Sequence, residues 1–477
     1  MVRLSYSDYN PKICLEFLFR KGNFMKIIVA GCGKIGKSIV ESLVVENHEI
    51  LIIDNKPEIV EEITNIYDVM GICGNCADSD IVQEANASEC DLYLAVTDSD
   101  ELNMLSCFIA KRMGAKYTIA RIRAPEYNDD SLAFMKDNLE ISMPINPERL
   151  AARELFNILK FPHALKIETF VRRTMEITEV RLRDDSVLDG VKLMDIRERF
   201  KAQVLVCCVQ RGEDVFIPAG DFVLRKGDRI GVTAPHEEMQ RFFRATGFLQ
   251  KQAKSVIILG GSRIAYYLAE MLIEIGVSVK IIDKDEKICE ELGDALPQAV
   301  VIYGDGSEQE LLLEEGIKDA DAFVALTGSD ETNILVSMFA MMNNVKKVIS
   351  KVNRDEIAPM AARLGLDCIV SPKKMVSDVV LSYARALENS KGSNVETLYK
   401  LMDGNVEALE FNVREDASII NKPLKDLKFL ENTLIIGIVR GRKTITPSGN
   451  TVIQAGDRVV VITTNHGLDD ISDILAK

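Results

Sequence analysis

The sequence predicts an α/β protein in which two Rossmann-like domains each precede a small α+β domain. Three observations support this prediction. Short β-branched runs alternate with segments of helical period, the whole pattern occurs twice, and each copy ends in short strands separated by turn residues. The chain has 477 residues, and a single domain takes up roughly 150 residues. Several separate cores are therefore expected.

The two copies of the pattern lie about 229 residues apart. The run IIVAGCGKIG at 27–36 matches VIILGGSRIA at 256–265, and each run is followed by a second strand that ends in an acid. These acids, Asp54 and Asp283, are separated by 229 positions. Since a repeat of this length spans a pair of domains, both halves should contain the same parts in the same order.

We expect four domains, two linker helices and an N-terminal extension. After Pro147 and Pro372 the sequence becomes amphipathic, and each such helix either packs on its own domain or is an arm that packs on another subunit. The expected units are an extension at 1–24, Rossmann-like domains at 25–147 and 251–372, linker helices at 148–167 and 373–394, and α+β domains at 168–250 and 395–477.

Composition argues against membrane insertion and nucleic-acid binding. No run of about 18 apolar residues is present, as a membrane-spanning helix requires. The net charge of -15 would repel phosphate backbones, so we expect no nucleic-acid partner. Ten cysteines without a repeated metal-ligand spacing indicate a reducing compartment and no metal site. Cys73 and Cys76 form a CxxC pair, for which burial is favoured over a redox role.

The first Rossmann-like domain carries a nucleotide-binding motif. Gly31, Gly33 and Gly36 form GxGxxG directly between a predicted strand and a predicted helix. The first glycine permits a tight turn, the second admits a pyrophosphate, and the third allows helix and strand to pack closely. Asp54 ends the next strand, where a carboxylate accepts ribose hydroxyls and repels a 2′-phosphate. NAD or an adenine nucleotide therefore fits better than NADP.

The second copy departs from this motif at two glycines. Gly260 is retained, but Ser262 stands in place of the second glycine and Ala265 in place of the third. A side chain at the second position crowds the phosphates, so this site is either functional or vestigial. Asp283 is retained, and the turn at 304–307 offers polar groups to a base or ribose.

Polar residues follow the fourth and fifth strands of each copy. The blocks 97–101 and 327–331 fall where open α/β sheets bind ligands, and their serines are also expected to cap the next helix. Arg121 and Lys351 end the fifth strands. Each either reaches a phosphate from the far side of the crevice or forms a surface ion pair.

No catalytic constellation is recognisable. The four histidines do not recur between the repeats, and HExxH and GxSxG motifs are missing from the sequence. We therefore expect a binding protein with no catalytic residues. An NAD-dependent oxidoreductase remains the alternative.

On these residues the chain resembles the TrkA family of tandem-RCK (KTN) regulatory subunits of Trk potassium-uptake systems. The resemblance covers about 25–477. It rests on GCGKIG with Asp54, on TDSDELNM and TGSDETNI, on ARIR after the fifth strand, and on PAGD…RKGD and PSGN…QAGD in the α+β domains.

The resemblance implies a cytosolic gating ring on the inner face of the cell membrane. Four chains would form a ring of eight RCK units beneath a TrkH- or TrkG-like subunit that translocates potassium. Family members bind NAD(H) and adenine nucleotides, ATP or ADP, and the bound nucleotide alters the shape of the ring and hence the pore. A regulator of a different cation transporter is the alternative.

The resemblance also implies nucleotide contacts in both halves. In the first half they are Gly31, Cys32, Gly33, Lys34, Ile35, Gly36, Asp54, Asn75, Cys76, Ala77, Thr97, Asp98 and Arg121. In the second half they are Gly260, Gly261, Ser262, Arg263, Ile264, Asp283, Asp305 and Lys351. Because Ser262 and Ala265 depart from the usual glycines, the ligand of the second site stays open.

Overall fold

The structure is a computed structural model. It describes residues 25–476 apart from 47, 125–126, 128–133, 137, 161–163, 171–174, 249–252, 355, 367, 391–394, 442, 466 and 469. The expected extension at 1–24 lies outside the described residues.

The first β-branched runs form a parallel sheet covered by helices. Its elements are β1 (Lys26–Ala30), α1 (Lys34–Val45), β2 (Glu49–Asp54), α2 (Pro57–Ile66), β3 (Met70–Cys73), α3 (Ser79–Glu84), β4 (Leu92–Ala95), α4 (Asp100–Met113), β5 (Tyr117–Arg121) and β6 (Met143–Ile145). All neighbouring strands are parallel, in the order β3-β2-β1-β4-β5-β6. The order reverses between β1 and β4, so a crevice opens at their carboxyl ends.

A linker helix and an antiparallel domain follow. Their elements are α5 (Pro147–Lys160), β7 (Ala164–Phe170), β8 (Met175–Arg181), α6 (Ile196–Phe200), β9 (Leu205–Arg211), β10 (Asp214–Phe216), β11 (Arg229–Thr233) and α7 (His236–Thr246). The sheet order is β10-β9-β11-β8-β7. The expected linker helix at 148–167 was too long, because α5 ends at Lys160 and β7 begins at Ala164. Pro162 explains the early end, since proline cannot continue a helix.

The second half repeats this topology. Its elements are β12 (Ser255–Leu259), α8 (Arg263–Glu274), β13 (Ser278–Asp283), α9 (Glu286–Ala295), β14 (Val300–Tyr303), α10 (Gln309–Glu314), β15 (Ala322–Ala325), α11 (Asp330–Met342), β16 (Lys347–Lys351), α12 (Ala358–Arg363), β17 (Ile369–Val370), α13 (Pro372–Ser390), β18 (Val395–Leu401), β19 (Val406–Asn412), β20 (Thr433–Arg440), β21 (Lys443–Ile445) and β22 (Arg458–Thr463). The sheet orders are β14-β13-β12-β15-β16-β17 and β18-β19-β22-β20-β21. The predicted fold class is thus confirmed. Among the described helices, none has the length and apolar character needed to cross a lipid bilayer.

The two linker helices are exchanged between the halves. Buried residues of α5, such as Leu155, share a core with α8 of the second half, including Leu268. Buried residues of α13, such as Val380, share a core with α1 of the first half, including Val40. Both expectations for these helices were therefore incomplete, because each helix also packs on the other half of the same chain.

The two α+β domains also pack against each other. Cys208 and Ile177 of the first sheet join Val460 and Ile462 of the second sheet in one buried cluster. At its edge the buried Glu179 accepts a hydrogen bond from the backbone N–H of Met402, with an N···O distance of 3.1 Å. The chain therefore forms two internal pairs of like domains.

Candidate functional site

A cleft of about 1450 Å³ lies at the carboxyl ends of β1 and β4. This is the point where the strand order of the first parallel sheet reverses. Both halves of the chain form its walls, which include Gly33, Asp54 and Arg121 from the first half and Ser329, Lys351 and Arg354 from the second half.

The three glycines of the first motif are favoured for different structural reasons. Gly31 has φ +89°, and a Cβ there would lie 2.7 Å from the backbone nitrogen of Thr97. A Cβ on Gly36 would lie 2.1 Å from the carbonyl oxygen of Gly31. In contrast, a Cβ on Gly33 would meet nothing within 4 Å. A side chain at the first or third glycine would crowd the backbone, whereas the second glycine leaves space for something outside the protein.

That space lies at the start of α1. Gly33 is the N-cap residue, and no side chain caps the helix. The first N–H groups of a helix have no partner within the helix, and its positive end attracts anions. Lys34 adds positive charge to the same wall of the cleft, where Lys37 is paired with Glu62. The position therefore suits a phosphate group.

Asp54 is buried and held in a fixed orientation. One carboxylate oxygen accepts from the backbone N–H of Cys32 at 2.7 Å, and the other accepts from that of Lys56 at 3.0 Å. An ionised carboxylate has about four lone-pair positions, so both oxygens can still accept a ribose hydroxyl. Burial, followed by the charge of Asp54, raises the pKa of the Cys32 thiol to about 12. Cys32 is thus a structural residue beneath the turn.

The turn after the third strand is polar in both halves. Asn75 accepts from the backbone N–H of Ala77 at 3.0 Å. Its counterpart Asp305 accepts from the backbone of Ser307 at 2.9 Å, and this bond lowers the pKa of Asp305. Burial raises the pKa of the Cys76 thiol. Because the thiolate is the reactive form, the redox interpretation of the CxxC pair is disfavoured.

A buried asparagine, which was missed from the sequence, connects the fourth and fifth strands. The side-chain oxygen of Asn103 accepts from the backbone N–H and the hydroxyl of Thr97, both at 2.7 Å. Its amide nitrogen donates to the carbonyl oxygen of Arg121 at 3.0 Å. Asn333 makes the same three kinds of bond in the second half. The recurrence of asparagine in both matched blocks was the available signal.

The serines of these blocks cap their helices as predicted. Ser99 accepts from the backbone N–H of Leu102 at 3.1 Å, and Ser329 accepts from that of Thr332 at 3.2 Å. Asp98, three residues after the end of β4, projects its side chain into solvent at the mouth of the cleft.

Arg121 is buried at the far side of the cleft, within ion-pair distance of Glu148 and the exposed Asp98. Its Nη1 donates to the carbonyl oxygen of Thr97 at 3.3 Å, and the nearest oxygens of Glu148 and Asp98 lie 3.7 and 3.9 Å away. Within the described part of the chain, its Nε has no hydrogen-bond partner. Burial lowers the pKa of Arg121. This incompletely paired cation favours an anionic ligand.

Lys351 occupies the equivalent place in the second half. Its Nζ donates to the carbonyl oxygen of Leu326 at 3.1 Å, and burial lowers its pKa. Its electrostatic neighbours include Glu148 and Lys34 of the first half. Glu148, at the start of α5, was not predicted from the sequence. Its carboxylate lies 3.7 Å from the buried Arg121 and interacts electrostatically with the half-buried Lys351 of the other half.

The second crevice keeps the acid and changes the phosphate position. Asp283 accepts from the backbone N–H groups of Gly261 at 2.5 Å and Asp285 at 2.9 Å, as Asp54 does in the first half. The hydroxyl of Ser262 is buried, does not cap α8, and has no hydrogen-bond partner in the described structure. A polar group therefore stands where the first crevice has open space.

Not every expected contact faces the first cleft. Cys32 and Gly36 are packed inside the domain, and Asp305 and Arg263 are exposed in the second half. Ile264 lines the cleft of the first half, although it was expected at the second site. Groups of cysteine, histidine and acidic residues that could hold a metal ion are absent from the described residues.

Comparisons with known proteins agree with the repeat. The TrkA-N domain model matches residues 27–139 and 256–372, and the TrkA-C domain model matches 177–247 and 408–476. The Trk system potassium uptake protein TrkA homolog 1 of Methanosarcina mazei is 31% identical over 92% of this chain and 97% of its own length. The Trk system potassium uptake protein TrkA of Vibrio alginolyticus is 30% identical over 95% of this chain and 98% of its own length.

Solved structures share the fold. A structure described as the GsuK channel bound to NAD has a TM-score of 0.61 at 15% identity, covering 95% of this chain and 80% of that chain. The GsuK RCK domain has a TM-score of 0.61 at 16% identity, covering 95% of this chain and 96% of that chain.

Proposed function

Since the chain belongs to the TrkA family, with TrkA-N and TrkA-C domains each present twice, we propose that it is a nucleotide-binding regulatory subunit of a Trk-type potassium uptake system. It would act on transport by changing shape and not by catalysis. The observation that carries the proposal is the first cleft. There an open space at Gly33, the fixed carboxylate of Asp54 and the buried cation Arg121 surround one volume.

These three groups fit NAD(H) or an adenine nucleotide such as ATP or ADP. The phosphates would lie at the start of α1, and the ribose would bond to Asp54. Asn75, Cys76, Ala77, Thr97 and Asp98 would complete the first site. At the second site, Gly260, Gly261, Ser262, Arg263, Ile264, Asp283, Asp305 and Lys351 would form the contacts. The solved neighbour described as bound to NAD has the same fold, which supports this ligand class.

The proposed mechanism is a shift between two shapes of an assembly. A ligand changes that balance only through its different affinities for the two shapes, and a tenfold preference supplies about 1.4 kcal/mol. A nucleotide that bridges the start of α1 and Arg121 would bind best when the crevice is closed. Closure of the crevice would also change the contacts of the second half, because Lys351 and Arg354 belong to the same cleft.

The finer proposals concern partners and location. We place the chain at the inner face of the cell membrane, on a TrkH- or TrkG-like potassium-translocating subunit, with four chains in a ring of eight RCK units. The domain limits would be those expected above, with the first linker helix shortened to Pro147–Lys160. A pull-down from membranes tests the partner. Recovery of an antiporter without a potassium-translocating subunit would favour a regulator of a different cation transporter.

Calorimetry with NAD and ADP tests the nucleotide site. Asp54→Ala removes charge-assisted hydrogen bonds worth about 1.5–3 kcal/mol, so affinity at the first site should fall by roughly 10- to 100-fold. Asp68→Asn removes an exposed acid outside the cleft and serves as the matched control. Unchanged affinity in Asp54→Ala would contradict the proposal. Reduction of NAD by a panel of hydroxy acids would instead support the oxidoreductase alternative.

A further inference from the structure

A hydrogen-bonded junction joins the second-half helix α8 to the backbone behind the first cleft. We propose that its central residue, Tyr267, couples the two nucleotide sites, so that a ligand in one crevice changes the affinity of the other. The inference rests on the nucleotide binding proposed above, and it assigns Tyr267 a positioning role that motif analysis does not give.

The Tyr267 hydroxyl is buried between two groups of the first half. It donates to the carbonyl oxygen of Arg123 at 3.1 Å and accepts from the side-chain nitrogen of Asn146 at 3.2 Å. The residue is 7% exposed, and burial raises its pKa, so the hydroxyl keeps its proton. Leu268 beside it belongs to the shared core of α8 and α5. The junction is therefore a defined contact inside the protein.

On the first-half side, this contact reaches the walls of the cleft. Arg123 is two residues beyond the buried Arg121, and its backbone N–H donates to the buried carboxylate of Asp100 at 2.7 Å. Its guanidinium also donates to the carbonyl oxygen of Asp98. A displacement of the Arg123 carbonyl would thus move the segment that places Arg121 and Asp98.

Asn146 links the same junction to the linker helix. Its side-chain oxygen accepts from the backbone N–H of Arg149 at 2.8 Å, in the first turn of α5. That turn also contains Glu148, whose carboxylate lies 3.7 Å from Arg121. Two separate connections therefore lead from Tyr267 to the cation of the first site.

On the second-half side, Tyr267 lies on the helix that begins at the second phosphate position. α8 starts at Arg263, directly after Ser262, and Tyr267 is four residues further along. This separation is about 6 Å at a rise of about 1.5 Å per residue. A helix moves as a rigid rod over one turn, so a shift of its start reaches the hydroxyl. Since hydrogen bonds weaken strongly beyond roughly 3.5 Å, a shift of about 0.5 Å would change the junction.

The other half makes a different contact at the matching position. The repeat partner of Tyr267 is Ser38 on α1, and its hydroxyl bonds to that of Ser377 on α13 at 2.9 Å. That bond ties α1 to the exchanged helix instead of to the backbone after the fifth strand. The structural path from Tyr267 is thus specific to α8, although its effect on the two affinities must be reciprocal.

Calorimetry of the full chain with ADP tests the coupling. Asp283→Ala should bind ADP at the first site only, and Asp54→Ala should bind it at the second site only. The interaction factor is the ratio by which ADP at one site changes the dissociation constant at the other site. Comparing the wild-type isotherm with the sum of these two single-site isotherms should give a factor of about 5- to 150-fold. In the Tyr267→Phe background the same comparison should give a clearly smaller factor, because the ring remains and only the hydroxyl is lost.

Tyr266→Phe is the matched control. Its ring packs edge-on against Tyr267 with centroids 5.4 Å apart, so it should keep the wild-type factor. Asn146→Ala removes the second partner of the hydroxyl and should lower the factor partly. If Tyr267→Phe proves unstable in a melting experiment, Asn146→Ala replaces it as the test of the coupling.

The outcomes separate the two proposals. A wild-type isotherm equal to the sum of the single-site isotherms overturns the coupling, as does a wild-type factor in Tyr267→Phe. A second site that binds no ADP also overturns the coupling, since coupling requires a ligand at both sites. If wild-type protein binds neither ADP nor NAD, the proposed function fails first and the coupling fails with it.

Discussion

Replacing Gly33 by alanine should weaken nucleotide binding at the first site without harming the fold. Gly33 has φ -64°, which alanine adopts without strain, and its Cβ would meet nothing within 4 Å. A glycine-to-alanine change at such a position usually stabilises a protein by about 0.4–1 kcal/mol, because the unfolded chain has less freedom to lose. We therefore expect an unchanged or slightly higher melting temperature.

The expected loss of affinity follows from the same empty space. A methyl group would occupy the volume that the phosphates need in order to approach the first N–H groups of α1. Each hydrogen bond to a charged group contributes about 1.5–3 kcal/mol. Loss of one such bond would weaken binding by roughly 10- to 100-fold, and loss of two would leave no measurable affinity at ordinary concentrations.

Gly36→Ala is the informative contrast. Its Cβ would lie 2.1 Å from the carbonyl oxygen of Gly31, so α1 and the turn must separate. Overpacking of this kind costs about 1–3 kcal/mol. The second half accommodates a fully buried Ala265 at the matching position, so the Gly36→Ala variant should still fold. Gly36→Ala should therefore melt at a lower temperature than wild type and bind nucleotide weakly for a structural reason.

Thermal unfolding by circular dichroism and calorimetric titration with ADP and NAD distinguish these expectations. The reasoning is refuted if Gly33→Ala binds as tightly as wild type in the Asp283→Ala background, where only the first site responds. It is also refuted if Gly33→Ala melts several degrees below wild type, because the glycine would then serve the fold.

Three further outcomes concern stability. Asp457→Ala removes a buried carboxylate that holds Arg440 through two bonds of 2.7 Å, and should cost about 3 kcal/mol in urea unfolding. Leu155→Ala, on the exchanged helix α5, should cost about 2–5 kcal/mol; hydrogen exchange should then show lost protection at 255–259 in the second half. Burial lowers the pKa of Lys351 below 10.5, so the unfolded chain binds that proton more tightly and the free energy of unfolding should rise as pH approaches 10.5. Lys351→Met should remove this rise.

Local features of the fold were predictable because local chemistry determines them. β-branched runs gave the strands, the positions of Gly31 and Gly36 gave the tight turn and close packing, and Ser99 gave a helix start. Each of these depends on atoms within a few residues or on a backbone conformation. The duplication then extended the same conclusions to the second half.

Contacts between distant segments were not predictable. The amphipathic pattern of α5 shows that one face must be covered, but it carries no information about which surface covers it. The pairing of β6 with β5 places Glu148 near Arg121, whereas its electrostatic effect on Lys351 depends on the contact between the halves. The sequence also suggested only a turn at Asp228. The structure adds a buried carboxylate that binds Arg211 through two bonds of 2.8 Å.

Exchange of the linker helices gives a physical reason for placing two unequal sites on one chain. Each Rossmann-like domain completes its core with a helix from the other half, so neither half can change its packing alone. The cleft of the first half also includes Lys351 of the second half, whose burial lowers its pKa. An anionic ligand there would offset the cost of a charge supplied by the opposite domain. Occupancy of the first site would thereby act on the second half directly, and Ser262 would let the second crevice respond to a ligand of its own.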